Sequence, residues 1–215
     1  MLKMIPAAAL ALFATVPAFA QSAPYVLDFE HDWQYNNSAV NEFYNGGLAS
    51  DGASGSNYGV SLTGFYGLSN NDGLGQFSGG AYYTNAPTAL GVAYVDFSAP
   101  AIMNVAAGAT SLSMFYSTAA AVTGAVRAFS GLNGSGVLLG TLDVAASTTA
   151  LNPDAYTSWN LANFAFTGTA KSFDFTGSAG MGLDNIGVTP VPEPANVALM
   201  LAGLVSMGLL LRRRA

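Results

Sequence analysis

The stretch KSFDFTG, residues 171–177, sets Phe173 and Phe175 on one side of an extended chain with Lys171, and Ser172 and Asp174 on the other. Successive side chains of a strand point to opposite faces, so this period of two predicts a strand with one apolar and one polar face. Antiparallel sheets covered on one side produce such a pattern. Working outward, runs of similar character recur along the chain: YVLDFE, YGVSLTGFYG, GAYYTN, GVAYVDFS, SLSMFYST, GAVRAFSG, GVLLGTLDV, SWNLANFAF and LDNIGVT. They are rich in β-branched and aromatic residues and are separated by the Gly, Asn, Ser and Asp clusters that form turns. The two stretches that compete as helices, VAAGATSL and STAAAVTGAVRAF, contain Gly108, Gly124 and β-branched residues, so they are assigned to loop and strand. About ten short strands in one domain predict an all-β fold, a two-sheet antiparallel β-sandwich of jelly-roll-like form. Between Asn45 and Gly80 the density of glycine, serine and asparagine predicts that part of the segment is a long, mobile loop. No repeat of fixed period is present, which argues against a solenoid.

Charge and cysteine content narrow the function. Residues 21–191 carry eleven acidic residues against Arg127 and Lys171, a formal charge of −9. Such a surface repels phosphate, so nucleic acid and anionic lipid headgroups are poor candidate partners of this region, and calcium or neutral glycans fit better. The chain has no cysteine. Stability must therefore come from a hydrophobic core, which one domain of about 170 residues is long enough to bury. The same absence removes thiol nucleophiles and zinc–thiolate sites.

The two ends differ from the middle. The chain opens MLKMIPAAALALFATVPAFAQ, with Lys3 before an apolar run from Ile5 to Val16 and small residues at Ala18 and Ala20. This is the pattern of a secretory signal peptide, residues 1–20, cut by signal peptidase before Gln21; its apolar run is too short to span a bilayer. Residues 21–190 then form the extracytoplasmic domain. Residues 191–215 read VPEPANVALMLAGLVSMGLLLRRRA. Pro192 and Pro194 lack amide donors and hold Val191 and Glu193 extended, a conformation that processing enzymes grip. Ala195 to Leu211 would form a helix about 26 Å long, just enough for a hydrocarbon core of about 30 Å when Arg212, Arg213 and Arg214 snorkel to the interface. The positive-inside rule puts those arginines in the cytoplasm and the domain outside.

Pro192-Glu193-Pro194, the apolar span and the basic end, in that order, resemble the PEP-CTERM sorting signal, over residues 191–215. The resemblance implies an exported protein that is held transiently in the inner membrane of a Gram-negative bacterium. A membrane enzyme, exosortase, would then process it at or near the Pro-Glu-Pro and pass it to the cell surface or extracellular matrix. It further implies surroundings of exopolysaccharide and biofilm. It does not state what the passenger domain does. An ordinary single-span anchor is the alternative, with Pro-Glu-Pro as a helix-breaking linker; a lipid-anchor signal would need small cleavage-site residues and a polar spacer that are absent here.

Within the domain, His31 is the only histidine, so a Ser-His-Asp mechanism or a histidine-rich metal site would have to pass through it. Gly134-Ser135-Gly136 lacks phosphate-loop spacing and follows Asn133, so it predicts a hairpin turn at Asn133-Gly134. Asp28 and Glu30 lie two apart on one strand and share a face. A carboxylate pair is the chemistry of glycosidases, although the reaction needs a second carboxylate across a cleft. Asp184 and Asn185 lie among glycines in the last run, and oxygen-rich residues suit calcium. The DFE beginning and LDNI ending also resemble those of jelly-roll carbohydrate-binding domains, some of which hold a structural calcium between first and last strands; that resemblance implies Asp28, Glu30 and Asp184 as its ligands. Trp33, Tyr35, Tyr44, Tyr58, Tyr66, Tyr82 and Tyr83 crowd the first half. Most such rings belong to a core, and two or three exposed side by side would make a platform for sugar rings.

The sequence thus points to a non-enzymatic surface or matrix protein with polysaccharide as its candidate partner; the alternative is a secreted polysaccharide hydrolase or lyase using a carboxylate pair. The intact mass of the protein recovered from its producing cells is expected to lack residues 1–20 and the helix beyond Pro194. A mature chain that retains Arg212 to Arg214 would mark a plain anchor instead, and normal processing of Glu193→Ala would remove that side chain from the recognised motif.

Overall fold

A computed structural model describes residues 23–34, 37–69, 83, 85–88, 90–97, 100–147 and 158–191. Its strands are β1 (Tyr25–Leu27), β2 (Ala39–Asn41), β3 (Val60–Ser69), β4 (Gly91–Val95), β5 (Ile102–Ser117), β6 (Val122–Phe129), β7 (Leu138–Val144), β8 (Asn160–Asp174) and β9 (Gly182–Pro190). A 3-10 turn, Thr176–Ser178, separates the last two. Every strand pairing is antiparallel. The chain is thus an all-β antiparallel protein, and VAAGATSL is continuous strand within β5. The signal-peptide residues Ala18, Ala20 and Gln21, and the tail residues Pro192, Glu193, Pro194, Arg212, Arg213 and Arg214, lie outside the described residues. Among the described residues no helix is long and apolar enough to cross a membrane.

Two strands organise the rest. The run SLSMFYST is the second half of the 16-residue β5, and SWNLANFAF and KSFDFTG merge into the 15-residue β8. β5 and β8 pair along most of their length, from Ile102↔Asp174 to Tyr116↔Asn160, with register shifts around Ala109. At that break the backbone turns: Gly108 has φ +84° and Gly168 φ +101°, a region that residues with a Cβ rarely enter. The other edge of β5 changes partner at the same place. Ile102 to Val105 pair with β3, whereas Ala109 to Ser117 pair with β9. Since β3 also pairs with β4, and β4 with β9, the path β5-β3-β4-β9 returns to β5. β1 joins the free part of β9, β2 joins β3, and the β6–β7 hairpin extends from the Phe173 end of β8.

The alternation in KSFDF is present, but the expectation of one open polar face is corrected. Ser172 is fully buried and Asp174 nearly so. The Ser172 hydroxyl donates to the Gly131 carbonyl and accepts from the Gly134 amide, while Asp174 accepts from Arg127 at 2.7 Å and from the Thr176 amide at 2.9 Å. Both polar side chains are covered by the β6–β7 hairpin and the turn after β8, and each is satisfied there, as burial demands. On the opposite face Phe173 packs edge-on against Phe164 and Phe166, and Phe175 against Phe65. The predicted Asn133-Gly134 turn is present, with φ of +57° and +67° as a tight two-residue hairpin turn requires. Of the Asn45–Gly80 segment, Val60–Ser69 is β3, residues 45–59 form tied turns rather than strand, and residues 70–80 lie outside the described residues. The short β2 lacked any strand signal of its own.

Truncating fully buried Phe173 to alanine is expected to cost about 3–5 kcal/mol in denaturant unfolding. On the same strand Leu161, 53 % exposed, is expected to change stability by less than about 0.5 kcal/mol when made alanine.

Candidate functional site

Of the three acidic residues singled out in the sequence, Glu30 and Asp184 both meet the segment leading into β4, whereas the Asp28 carboxylate is held by Tyr44. After β1 the chain keeps its two-residue alternation: Leu27, Phe29 and Trp33 are buried while Asp28 and Glu30 are exposed. Phe29 has φ +54°, unusual for a bulky residue, and its backbone is fixed on both sides. The Phe29 amide donates to the Tyr44 hydroxyl at 2.7 Å, and its carbonyl accepts from the Trp33 indole at 2.9 Å. Tyr44 in turn donates to Asp28 Oδ1 at 3.1 Å. Burial, and next the charge of Asp28, hold the Tyr44 phenol far above its ordinary range, so it remains a donor.

Glu30 and Asp184 grip the segment leading into β4. Glu30 accepts from the amides of Leu90 and Gly91, at 3.0 Å from each through Oε1. Asp184, fully buried on β9, accepts from the Thr88 amide at 3.0 Å and the Asn185 amide at 2.7 Å. The Thr88 hydroxyl lies 3.0 Å from both Asp184 oxygens and 3.3 Å from the Asp28 carbonyl. Thr88, Leu90 and Gly91 therefore form a strap, tied down by carboxylates from the segment that follows β1 and from β9. Gly91 allows the close approach: a Cβ there would sit 2.0 Å from the Phe29 carbonyl oxygen. Thr88, Leu90 and Gly91 were missed in the sequence because they contribute mostly backbone amides, which any residue carries. Among the described residues no group of three or more His, Asp or Glu side chains is arranged to hold a metal ion. The carboxylate oxygens meet N–H and O–H donors instead.

His31 also finds a structural setting. Its Nε2 is 2.8 Å from Asp51 Oδ2, and its ring packs against Trp33 and Phe43. Of the aromatic cluster, Trp33, Tyr44 and Tyr83 are buried, Tyr58 and Tyr66 are partly exposed, and Tyr35 and Tyr82 lie outside the described residues. Tyr58 stacks on buried Tyr25, with ring centres 4.6 Å apart. Tyr66 on β3 stands directly opposite Tyr94 on β4; both are partly open, with centres 5.6 Å apart and planes 29° from parallel.

No family profile and no curated protein sequence matches the chain. A solved structure, the K2 cleaved adhesin domain of Lys-gingipain, is similar at 14 % identity and a TM-score of 0.42, over 80 % of this chain and 100 % of that one.

Burial, opposed in part by the hydrogen bonds from Thr88 and Asn185 and reinforced by nearby Glu30, raises the Asp184 carboxyl from its ordinary 3.8 to about 6. The folded state thus holds a proton that the unfolded chain has released between those values. The stability contributed by Asp184 is fullest below pH 3.8 and is lost as pH rises through about 6. Thermal unfolding of wild type and Asp184→Asn from pH 4 to 7.5 is expected to show the wild-type advantage shrinking across that window and levelling above it. A constant difference would mean that Asp184 titrates normally.

Proposed function

We propose that this protein is a surface or extracellular-matrix component whose domain, a jelly-roll-like two-sheet sandwich, binds polysaccharide weakly and does not cleave it. The observation that carries this reading is the Tyr66–Tyr94 pair, two partly exposed rings side by side on paired strands. Such rings offer flat contact area to sugar at little cost in conformational entropy. The charge of the domain supports a ligand without phosphate. Weak binding suffices where many copies share one surface, since multivalency multiplies it. The sorting tail supports the setting: export, transient anchoring in the inner membrane by Ala195 to Leu211, recognition at Pro192-Glu193-Pro194 by exosortase, and release to the surface of a Gram-negative cell.

The hydrolase or lyase alternative receives less support. Asp28 and Glu30 project from one segment and accept hydrogen bonds from Tyr44 and from the amides of Leu90 and Gly91, an arrangement that anchors a strap. Calcium at Asp28, Glu30 and Asp184 stays in the proposal as a site the carboxylates would form only by giving up their present N–H and O–H donors, since they are not grouped to hold a metal; burial of Asp184 beside Glu30 favours it, because a divalent cation would offset both desolvation and repulsion. Repeating the pH series with millimolar calcium tests it, through an added rise in melting temperature above pH 6 that Asp184→Asn lacks.

The binding reading is tested by affinity electrophoresis through gels containing exopolysaccharide from the producing cells. Wild type is expected to be retarded without releasing reducing sugar, and Tyr66→Ala/Tyr94→Ala to run markedly faster. Unretarded wild type would leave a spacer without a ligand, and reducing sugar would restore the hydrolase.

A further inference from the structure

A second feature lies elsewhere on the outer face of the sheet, on β8, β5 and β9. A groove of about 320 Å³ is lined there by Ser111, Ser113, Asn163, Ala165, Gly187 and Thr189, together with Leu112 and Phe164 between the rows. The register explains it. Asn163, Ser113, Gly187 and Val26 stand abreast on β8, β5, β9 and β1, and Ala165, Ser111 and Thr189 form the next row. The alternate residues Leu112 and Phe164 turn into the core, so the rows point outward and are partly or fully open to solvent. The floor is deep only because position 187 lacks a side chain: a Cβ there would meet Ser113 Oγ at 2.5 Å. Exposed Val26 and Leu161 add apolar surface beside the rows.

We infer that this groove is a binding site for an uncharged, hydroxyl-rich chain, that is, a neutral glycan. Three hydroxyls and one carboxamide both donate and accept, which matches a ligand that does the same. No ionisable group lines the groove, so a carboxylate or phosphate finds no counter-charge and a cation finds no carboxylate. A purely apolar ligand would cover the hydroxyls without replacing their bonds to water. An extended peptide added as a strand would pair along the outer edge of β8 or β1 rather than lie in the groove, whose floor strands β5 and β9 are paired on both sides there. What remains is side-chain hydrogen bonding across three strands, a span of about 10 Å at the usual strand spacing. The ligand class is the one proposed for the tyrosine pair, but the residues are different. Along β9, strapped Asp184 falls between Gly182, which pairs with Tyr94, and Gly187 in the groove.

Electrophoresis of the full chain in detergent, through native gels containing hydroxyethyl cellulose, dextran or galactomannan, with alginate as the anionic control, tests the inference. Ser111→Val/Ser113→Val fills the groove with residues that favour strands, so an unchanged melting temperature is expected to confirm that it folds. Wild type and Tyr66→Ala/Tyr94→Ala should both be retarded by at least one neutral polymer and not by alginate. The double valine variant should bind that polymer about fivefold more weakly or worse, the loss expected from one or two unmade hydrogen bonds. Retardation lost in the tyrosine variant but kept in the valine variant would place all binding at the tyrosines and overturn the groove. So would unretarded wild type, retardation by alginate alone, or a wild-type dimer that the valines dissociate, which would make the occupant a second copy.

Discussion

The fold depends on one requirement: β5 and β8 must stay paired while turning a corner. Straight strands of 16 and 15 residues would leave one end of each without a core to cover. The register breaks around Ala109, with Gly108 and Gly168 at positive φ, let the ladder bend, so the two halves of β5 serve different neighbours. Every other pairing follows. β3 and β4 attach to the first half of β5, β9 and β1 to the second, and the contact of β4 with β9 closes the circuit. Strands that switch partners at bulges are the usual means of building corners in packed sheets.

That corner determines where polar groups can be buried. Ser172 and Asp174 lie at the Phe173 end of β8, beneath the hairpin loop, where Gly131, Gly134 and Arg127 meet them. Asp184 is buried differently, under a strap that supplies amides rather than a cation from a side chain. Asp174 is bonded to the Arg127 guanidinium, whereas Asp184 has only neutral donors, and burial raises its affinity for a proton. The two aspartates occupy similar places at strand ends and differ in the charge of their partners.

The strap also organises the outer surface. On one side of it along β9 lies the row that ends in the tyrosine pair, where ring faces are the resource. On the other lies a groove of small polar side chains, where hydroxyls and an amide are the resource. The binding proposed for each uses these resources separately, stacking in one case and hydrogen bonding in the other. The acidic composition of the domain is common to both and opposes anionic ligands at either.

The sequence alone determined the strand character of the chain, because alternation such as that of KSFDF and the turn chemistry at Asn133-Gly134 are local properties of the backbone. It also determined the convergence of Asp28 and Glu30 on one face, since a period of two puts them there. The stretches at its ends that resemble export and sorting signals were legible there too, because such motifs are linear and need no fold to be read. Tertiary structure decided the rest, for reasons of distance. Whether Ser172 and Asp174 face water depends on a hairpin some 40 residues away in the chain, which alternation cannot register. The strap was illegible because its contribution is backbone amides, and β2 because three residues carry no pattern. The groove was illegible because Ser113, Asn163 and Gly187 are ordinary residues until pairing aligns them, and the emptiness at its floor comes from a hydrogen atom where a side chain would be.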